Sequence, residues 1–157
     1  MIKIGFGERD KVLVPIKFKP RKWAALGGKD IFLVDTGADF SAISKNTLYK
    51  LGYDYNWIKD NLIRVEGRVG TAIHRYGEEG IEAPYIQLPL IKVLGREIRN
   101  FPFRLIESKE ADFNNLLGRD LLSGFNYCFN NDEKAFSAEQ TKNFAPARSF
   151  WGGLEIW

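Results

Sequence analysis

The residues best suited to chemistry are Asp35, Thr36 and Gly37, which directly follow the apolar residues 31–34. A buried strand here would deliver the Asp35 carboxyl group to a sharp turn of the backbone, because Asp and Gly are favoured in turns. A carboxylate held in this way can activate a water molecule as a general base. The Asp-Thr-Gly triplet occurs once. Acid chemistry of this type needs two carboxyl groups, so the second must come from elsewhere.

The bulk composition describes one ordinary folded domain. The chain has 157 residues, 45% of them hydrophobic, which is enough for a single domain, residues 1–157, with its own core. The net charge is +3, and Lys and Arg form no dense block. Nucleic-acid binding is therefore disfavoured, because it usually needs a clustered basic face. The aromatic content of 14% indicates either core packing or an apolar groove for an extended ligand.

Cysteine and histidine are each used once, as Cys128 and His74. No disulfide can form within the chain, and a closed zinc site is disfavoured, so we predict no metal and no cofactor. Cys128 lies in a strand-like aromatic run, and we predict that it is a small buried residue. No apolar run reaches transmembrane length, and the N-terminus does not have the pattern of a signal peptide. We therefore expect a cytoplasmic protein with no membrane partner.

Most of the chain alternates apolar and polar residues, which predicts β-strands. The predicted strands are residues 12–18, 31–34, 42–44, 62–66, 85–93, 97–106, 116–117, 125–130 and 135–139. One or two helical turns are predicted at residues 45–52, and a helix is predicted to begin after Gly118. Glycines punctuate residues 67–77, which predicts a mobile hairpin between strands. The coarse prediction is a mainly β domain with one short helix near its C-terminal third.

Two separated motifs carry a family resemblance. The first is the apolar strand that ends in Asp35-Thr36-Gly37-Ala38, and the second is residues 116–122, Leu-Leu-Gly-Arg-Asp-Leu-Leu. With the hairpin between them, the chain resembles a retropepsin-like aspartic protease, the class that includes retroviral proteases and related cellular domains. The resemblance covers about residues 10–140. It implies a closed β-barrel of the acid protease type with a short C-terminal helix, active as a symmetric homodimer.

The resemblance also implies a role for each residue of the first motif. Asp35 is the catalytic carboxyl group, Thr36 braces the opposite loop across the dimer axis, and Gly37 lets its backbone N–H approach the carboxylate. Two nearby carboxyl groups share one proton, which supplies a base and an acid at a single pH. Since the other acidic residues lack the strand–Asp-Thr-Gly setting, we expect the second carboxyl group to be Asp35 of a second copy.

Four further residues would support the site. Ala38 and Gly118 belong to the matched motifs, and Asp39 and Arg119 match a pair that joins the active-site loop to the C-terminal helix. The alternative for Asp39 and Arg119 is two separate solvated charges.

The hairpin would form a flap over the substrate, with Gly70, Thr71, Ala72 and Ile73 as its substrate-binding residues. The alternative is a plain surface hairpin. His74 is predicted to be an exposed flap residue with no catalytic role, because a two-aspartate mechanism has no step for it.

The first functional hypothesis is a homodimeric aspartic endopeptidase that binds a peptide or protein substrate as an extended strand. The second is a dimeric module of the same fold that binds peptides or partners without cleaving them. A third, an RNA-associated protein, rests only on the mild positive charge. Three alternatives stay open for the tail, residues 141–157: it pairs across the dimer axis, folds back on its own chain, or occupies the cleft as an inhibitor.

Overall fold

The computed structural model describes residues 1–19, 27–63, 84–106 and 115–144. The strands in these ranges are β1 (Ile2–Gly5), β2 (Leu13–Phe18), β3 (Gly28–Val34), β4 (Ala42–Ser44), β5 (Leu62–Ile63), β6 (Tyr85–Val93), β7 (Arg96–Ile106), β8 (Asn115–Leu117), β9 (Phe125–Asn130) and β10 (Ala135–Gln140). The helices are α1 (Lys45–Lys50), α2 (Tyr55–Asn61) and α3 (Arg119–Leu122), and a 3₁₀ turn spans Glu8–Asp10. Within these ranges no helix is long and apolar enough to cross a bilayer.

Six of the strands close into a barrel. They are hydrogen-bonded in the order β2, β3, β8, β4, β7 and β6, and β6 pairs again with β2 to complete the ring, while β5 extends the sheet beyond β6. Strand β2 shows how the sequence specifies this arrangement. Its alternate residues Val14, Ile16 and Phe18 are buried, and the intervening residues are exposed, as expected for a strand with one face towards a core. The prediction of a mainly β, closed-barrel fold is confirmed.

Aromatic rings fill much of the barrel interior. The Phe32 and Phe103 ring centroids lie 5.6 Å apart, and those of Phe101 and Phe103 lie 5.0 Å apart. All three side chains are fully buried. Pairs at such separations add about 0.5–1.5 kcal/mol to the burial of their surface. Core packing therefore accounts for these three aromatic residues.

A separate three-stranded antiparallel sheet has the order β1, β10, β9. Strand β1 was not predicted, because this short segment is a strand only through its pairing with β10, for example Ile4 with Phe136. The prediction that Cys128 is buried is wrong, since its side chain is exposed. In β9 only Phe125 is buried. The strand forms one edge of the small sheet, so its aromatic pattern does not correspond to core positions.

Two of the helices begin with side-chain caps. At the start of α1, a helix that was predicted, Ser44 accepts a hydrogen bond from the Thr47 N–H. At the start of α2, a helix that was missed, Asp54 accepts a hydrogen bond from the Trp57 N–H. The signal for α2 was present, because an Asp at the N-cap is a common start signal for a helix. Trp57 then stacks on Tyr53, with ring centroids 4.2 Å apart.

The first residues of the tail fold back on their own chain. The Thr141 N–H donates to the Gly124 carbonyl oxygen at 3.0 Å, and the Arg96 guanidinium donates to the Thr141 carbonyl oxygen. The same guanidinium lies 5.2 Å from the centroid of the Phe144 ring. The three alternatives for the tail concern mainly residues 145–157, which lie outside the described residues.

Candidate active site

Asp35 lies immediately after β3, where that strand runs parallel to β8. The Val34 N–H donates to the Val12 carbonyl oxygen at 2.9 Å, and the Asp35 N–H donates to the Leu117 carbonyl oxygen at 3.0 Å. The backbone on both sides of β3 therefore fixes the point at which the chain leaves the strand. Because β3 and β8 are parallel, the loop after Asp35 and helix α3 leave the barrel at the same end.

The turn that follows orients the Asp35 carboxylate. The Gly37 N–H donates to Asp35 Oδ1 at 3.0 Å, and the Ala38 N–H donates to the Asp35 carbonyl oxygen at 3.2 Å. A Cβ atom on Gly37 would lie 3.3 Å from Asp35 Oδ1, which is closer than most such contacts. Asp35 is half-buried, whereas Thr36 and Gly37 are exposed. The carboxylate is thus held on a tight turn at one end of the barrel.

Gly118 allows the second motif to approach this loop. A Cβ atom at this position would lie 2.8 Å from the carbonyl carbon and oxygen of Phe40, and 2.9 Å from the Ala38 oxygen. These are backbone atoms that cannot rotate away, so a larger residue would push the two segments apart. The requirement for glycine here comes from this close approach.

Arg119 ties the start of α3 to the loop in two ways. Its backbone N–H donates to the Ala38 carbonyl oxygen at 2.9 Å, and its guanidinium forms an ion pair with the Asp39 carboxylate. The side chains are 52% and 36% exposed, respectively. At that exposure an ion pair contributes at most about 1 kcal/mol. The structure brings Asp39 and Arg119 together.

Beneath the loop lies a buried contact that the sequence analysis missed. The Ser41 N–H lies 3.0 Å from both carboxyl oxygens of Asp120, and the Ser41 hydroxyl donates to Asp120 Oδ1 at 2.5 Å. The same hydroxyl accepts a hydrogen bond from the Gly118 N–H at 2.9 Å. Neither Ser41 nor Asp120 is exposed. Burial raises the pKa of Asp120 to about 6, although the hydrogen bonds from Ser41 and Leu121 oppose that rise.

Arg104 is a further buried polar residue next to the loop, and it too was not predicted from the sequence. Only 3% of its surface is exposed. Its guanidinium lies 4.6 Å from the centroid of the Phe40 ring and 5.5 Å from that of Tyr85, and its backbone N–H donates to the Ser41 oxygen at 2.9 Å. The signal in the sequence was an Arg among the otherwise apolar last six residues of β7, all of which are buried.

The flap residues Gly70, Thr71, Ala72 and Ile73 lie outside the described residues, as does His74. In the described part of the chain, no group of three or more His, Cys, Asp or Glu side chains is arranged to hold a metal ion.

Comparison with known proteins gives a fold but no sequence family. No family model matches the chain, and no curated protein matches it. Among solved structures, it is similar to the crystal structure of a retropepsin-like aspartic protease from Rickettsia conorii. The two chains are 23% identical, the match covers 87% of this chain and 88% of the other, and the TM-score is 0.61. This likeness, with the closed barrel described above, shows that the chain has a retropepsin-like fold.

Proposed function

We propose that this protein is an aspartic endopeptidase that works as a homodimer. The observation that carries the proposal is the position of the Asp35 carboxylate. The carboxylate lies on a tight turn after β3 and accepts a hydrogen bond from the Gly37 N–H. The chain that carries it has a retropepsin-like fold. A carboxylate in that position can act on a water molecule next to a bound peptide.

The reaction needs a second carboxyl group, and the proposal assigns it to Asp35 of a second copy. With one carboxyl group ionised and the other protonated, the first takes a proton from water while the second donates to the carbonyl oxygen of the substrate. Two observations support a twofold arrangement. The chain contains one Asp-Thr-Gly triplet. Thr36 and Gly37 are exposed at the end of the barrel, where the same loop of a second copy would meet them.

The remaining parts of the proposal concern the substrate. A peptide would bind as an extended strand beside the loop, using main-chain hydrogen bonds and apolar side-chain pockets. The hairpin around Gly70, Thr71, Ala72 and Ile73 would close over it.

A cytoplasmic location belongs to the same proposal, since the single cysteine gives no reason to expect an oxidising compartment.

The test is digestion of a peptide library by the purified protein at about pH 3 to 7, with the mass of the protein in solution measured in parallel. We expect cleavage by the unchanged protein and none by Asp35→Asn. The matched control is Asp60→Asn, the same substitution at an exposed position of α2, which should retain cleavage. Peptide binding without cleavage by the unchanged protein would favour the non-catalytic module instead, and a strictly monomeric protein that cleaves would contradict the dimeric mechanism.

A further inference from the structure

A second candidate site lies at the opposite end of β3 from Asp35. A cleft of about 410 Å³ opens there between the ends of β2, β3 and β6. Gly28, which lines it, stands seven positions before Asp35, a separation of about 23 Å along a strand. A ligand in this cleft would not touch the Asp35 carboxylate. The cleft also falls within the roughly 300–1,000 Å³ range typical of ligand-binding sites.

Three lysines stand side by side across the strands at the cleft. Lys17 on β2 is directly opposite Lys29 on β3 and directly opposite Lys92 on β6. Neighbouring strands lie about 4.8 Å apart, so the row spans about 10 Å. All three side chains are exposed. Like charges placed directly opposite each other destabilise a sheet, and a bound anion would relieve that repulsion.

One described carboxylate borders this row, because Glu97 on β7 is directly opposite Lys92. Among the described residues, Glu97 is the acidic side chain that lines the cleft, and its carboxylate lies 3.8 Å from the Lys19 ammonium group. No ion pair within the described ranges involves Lys17, Lys29 or Lys92. Four lysines and one glutamate leave three excess positive charges around the cleft, as many as the net charge of the whole chain, +3.

Apolar side chains contribute to the same cleft. Phe18 is 4% exposed and Ile91 is fully buried, while Leu90 is half-buried; all three line the cleft. The lysine side chains add their hydrocarbon stems to this surface while their ammonium groups stay in water. A ligand that fits must therefore carry anionic groups and apolar groups close together.

We propose that this lysine cleft (Lys17, Lys19, Lys29 and Lys92 around Leu90) is a docking site for a peptide segment with acidic and aliphatic side chains. In an extended peptide, residues i and i+2 lie on one face about 7 Å apart, a spacing that lets two carboxylates reach the row of lysines. Aliphatic side chains then contact the half-buried Leu90 side chain and the hydrocarbon stems of the lysines. A nucleic acid fits less well, because single strands are held by stacking on exposed aromatic rings, whereas Phe18 is buried.

The test measures binding rather than cleavage, so it does not depend on the proposed activity. The full chain carrying Asp35→Asn is titrated into a fluorescein-labelled peptide of alternating Glu and Leu, about eight residues long, and anisotropy is recorded. The cleft variant is Lys17→Gln/Lys29→Gln/Lys92→Gln. The matched control, Lys11→Gln/Lys59→Gln/Lys142→Gln, removes the same charge from exposed positions elsewhere. Thermal melts check that both variants are folded, and Lys17→Gln alone serves if the cleft triple variant is not.

We expect the cleft variant to bind the peptide about tenfold or more weakly than the parent chain, and the control variant to stay within about twofold. A Glu–Ser peptide and a Lys–Leu peptide should bind about tenfold more weakly than the Glu–Leu peptide. No binding to the parent chain, or equal losses in the two triple variants, would overturn the proposal. So would tighter cleft-dependent binding of a labelled single-stranded oligonucleotide or of decanoate.

Discussion

The buried carboxyl group of Asp120 accepts hydrogen bonds from both the backbone N–H and the hydroxyl of Ser41. Ser41 ends the loop that begins at Asp35, and Asp120 is in the first turn of α3. The contact therefore joins the two motifs beneath the surface, while the Asp39–Arg119 pair joins them at the surface. Any change that weakens the Ser41–Asp120 contact should loosen the loop that orients Asp35.

The first prediction concerns the pH dependence of stability. The pKa of Asp120 is raised by burial from 3.8 to about 6 in the folded chain. Between these values the folded chain holds a proton that the unfolded chain has released, so the free energy of unfolding falls as pH rises. The fall levels off about one pH unit above this raised pKa and amounts to about 3 kcal/mol. Asp120→Asn should remove this part of the pH dependence.

Urea unfolding at a series of pH values from about 4 to 7 checks this prediction. The matched control is Asp60→Asn, since Asp60 is exposed on α2 and its substitution should leave the pH profile unchanged. Parallel profiles for Asp120→Asn and the unchanged protein would contradict the assigned titration.

The second prediction concerns Gly118. In Gly118→Ala, the new methyl group would lie 2.8–2.9 Å from backbone atoms of Phe40 and Ala38. We expect a loss of about 2–3 kcal/mol in the free energy of unfolding, typical of forced overpacking, together with loss of any peptidase activity. The control is Gly5→Ala in β1, where a Cβ atom would have no neighbour within 4 Å. Equal melting temperatures for the two variants would show that the loop and α3 can separate without cost.

Much of the fold and part of the site could be predicted from local patterns. Alternation predicted β2, and the family resemblance implied that Asp39 and Arg119 join the Asp35 loop to the C-terminal helix. The Ser41–Asp120 contact could not be predicted in this way, because its partners are 79 residues apart and neither belongs to a recognisable pair. The exposure of Cys128 was missed for a related reason. The local pattern of β9 resembles a core strand, and only the sheet order shows that it lies at an edge.

The third prediction tests whether the Asp39–Arg119 pair positions the Asp35 loop in addition to stabilising the fold. A double-mutant cycle with Asp39→Ala and Arg119→Ala should give a coupling energy of no more than about 1 kcal/mol, because both side chains are partly exposed. Peptide cleavage should fall further than this stability change explains, since the pair positions the Asp35 loop. The exposed Lys3–Glu133 pair provides a control cycle that should leave cleavage unchanged. Wild-type cleavage by the double variant would contradict the positioning role.

The fourth prediction tests the electrostatic effect of Arg104 on the pKa of Asp120. The positive charge of Arg104 lowers the pKa of Asp120, in opposition to the larger effect of burial. In Arg104→Met that opposition is lost, so the pKa of Asp120 should rise further. The pH at which the free energy of unfolding stops falling should therefore be higher in Arg104→Met than in the unchanged protein, as measured by urea unfolding. Arg99→Met is the matched control, because Arg99 lies on the same strand, β7, but is exposed. A shift to lower pH in Arg104→Met, or equal shifts in both variants, would rule out a direct effect of the Arg104 charge on Asp120.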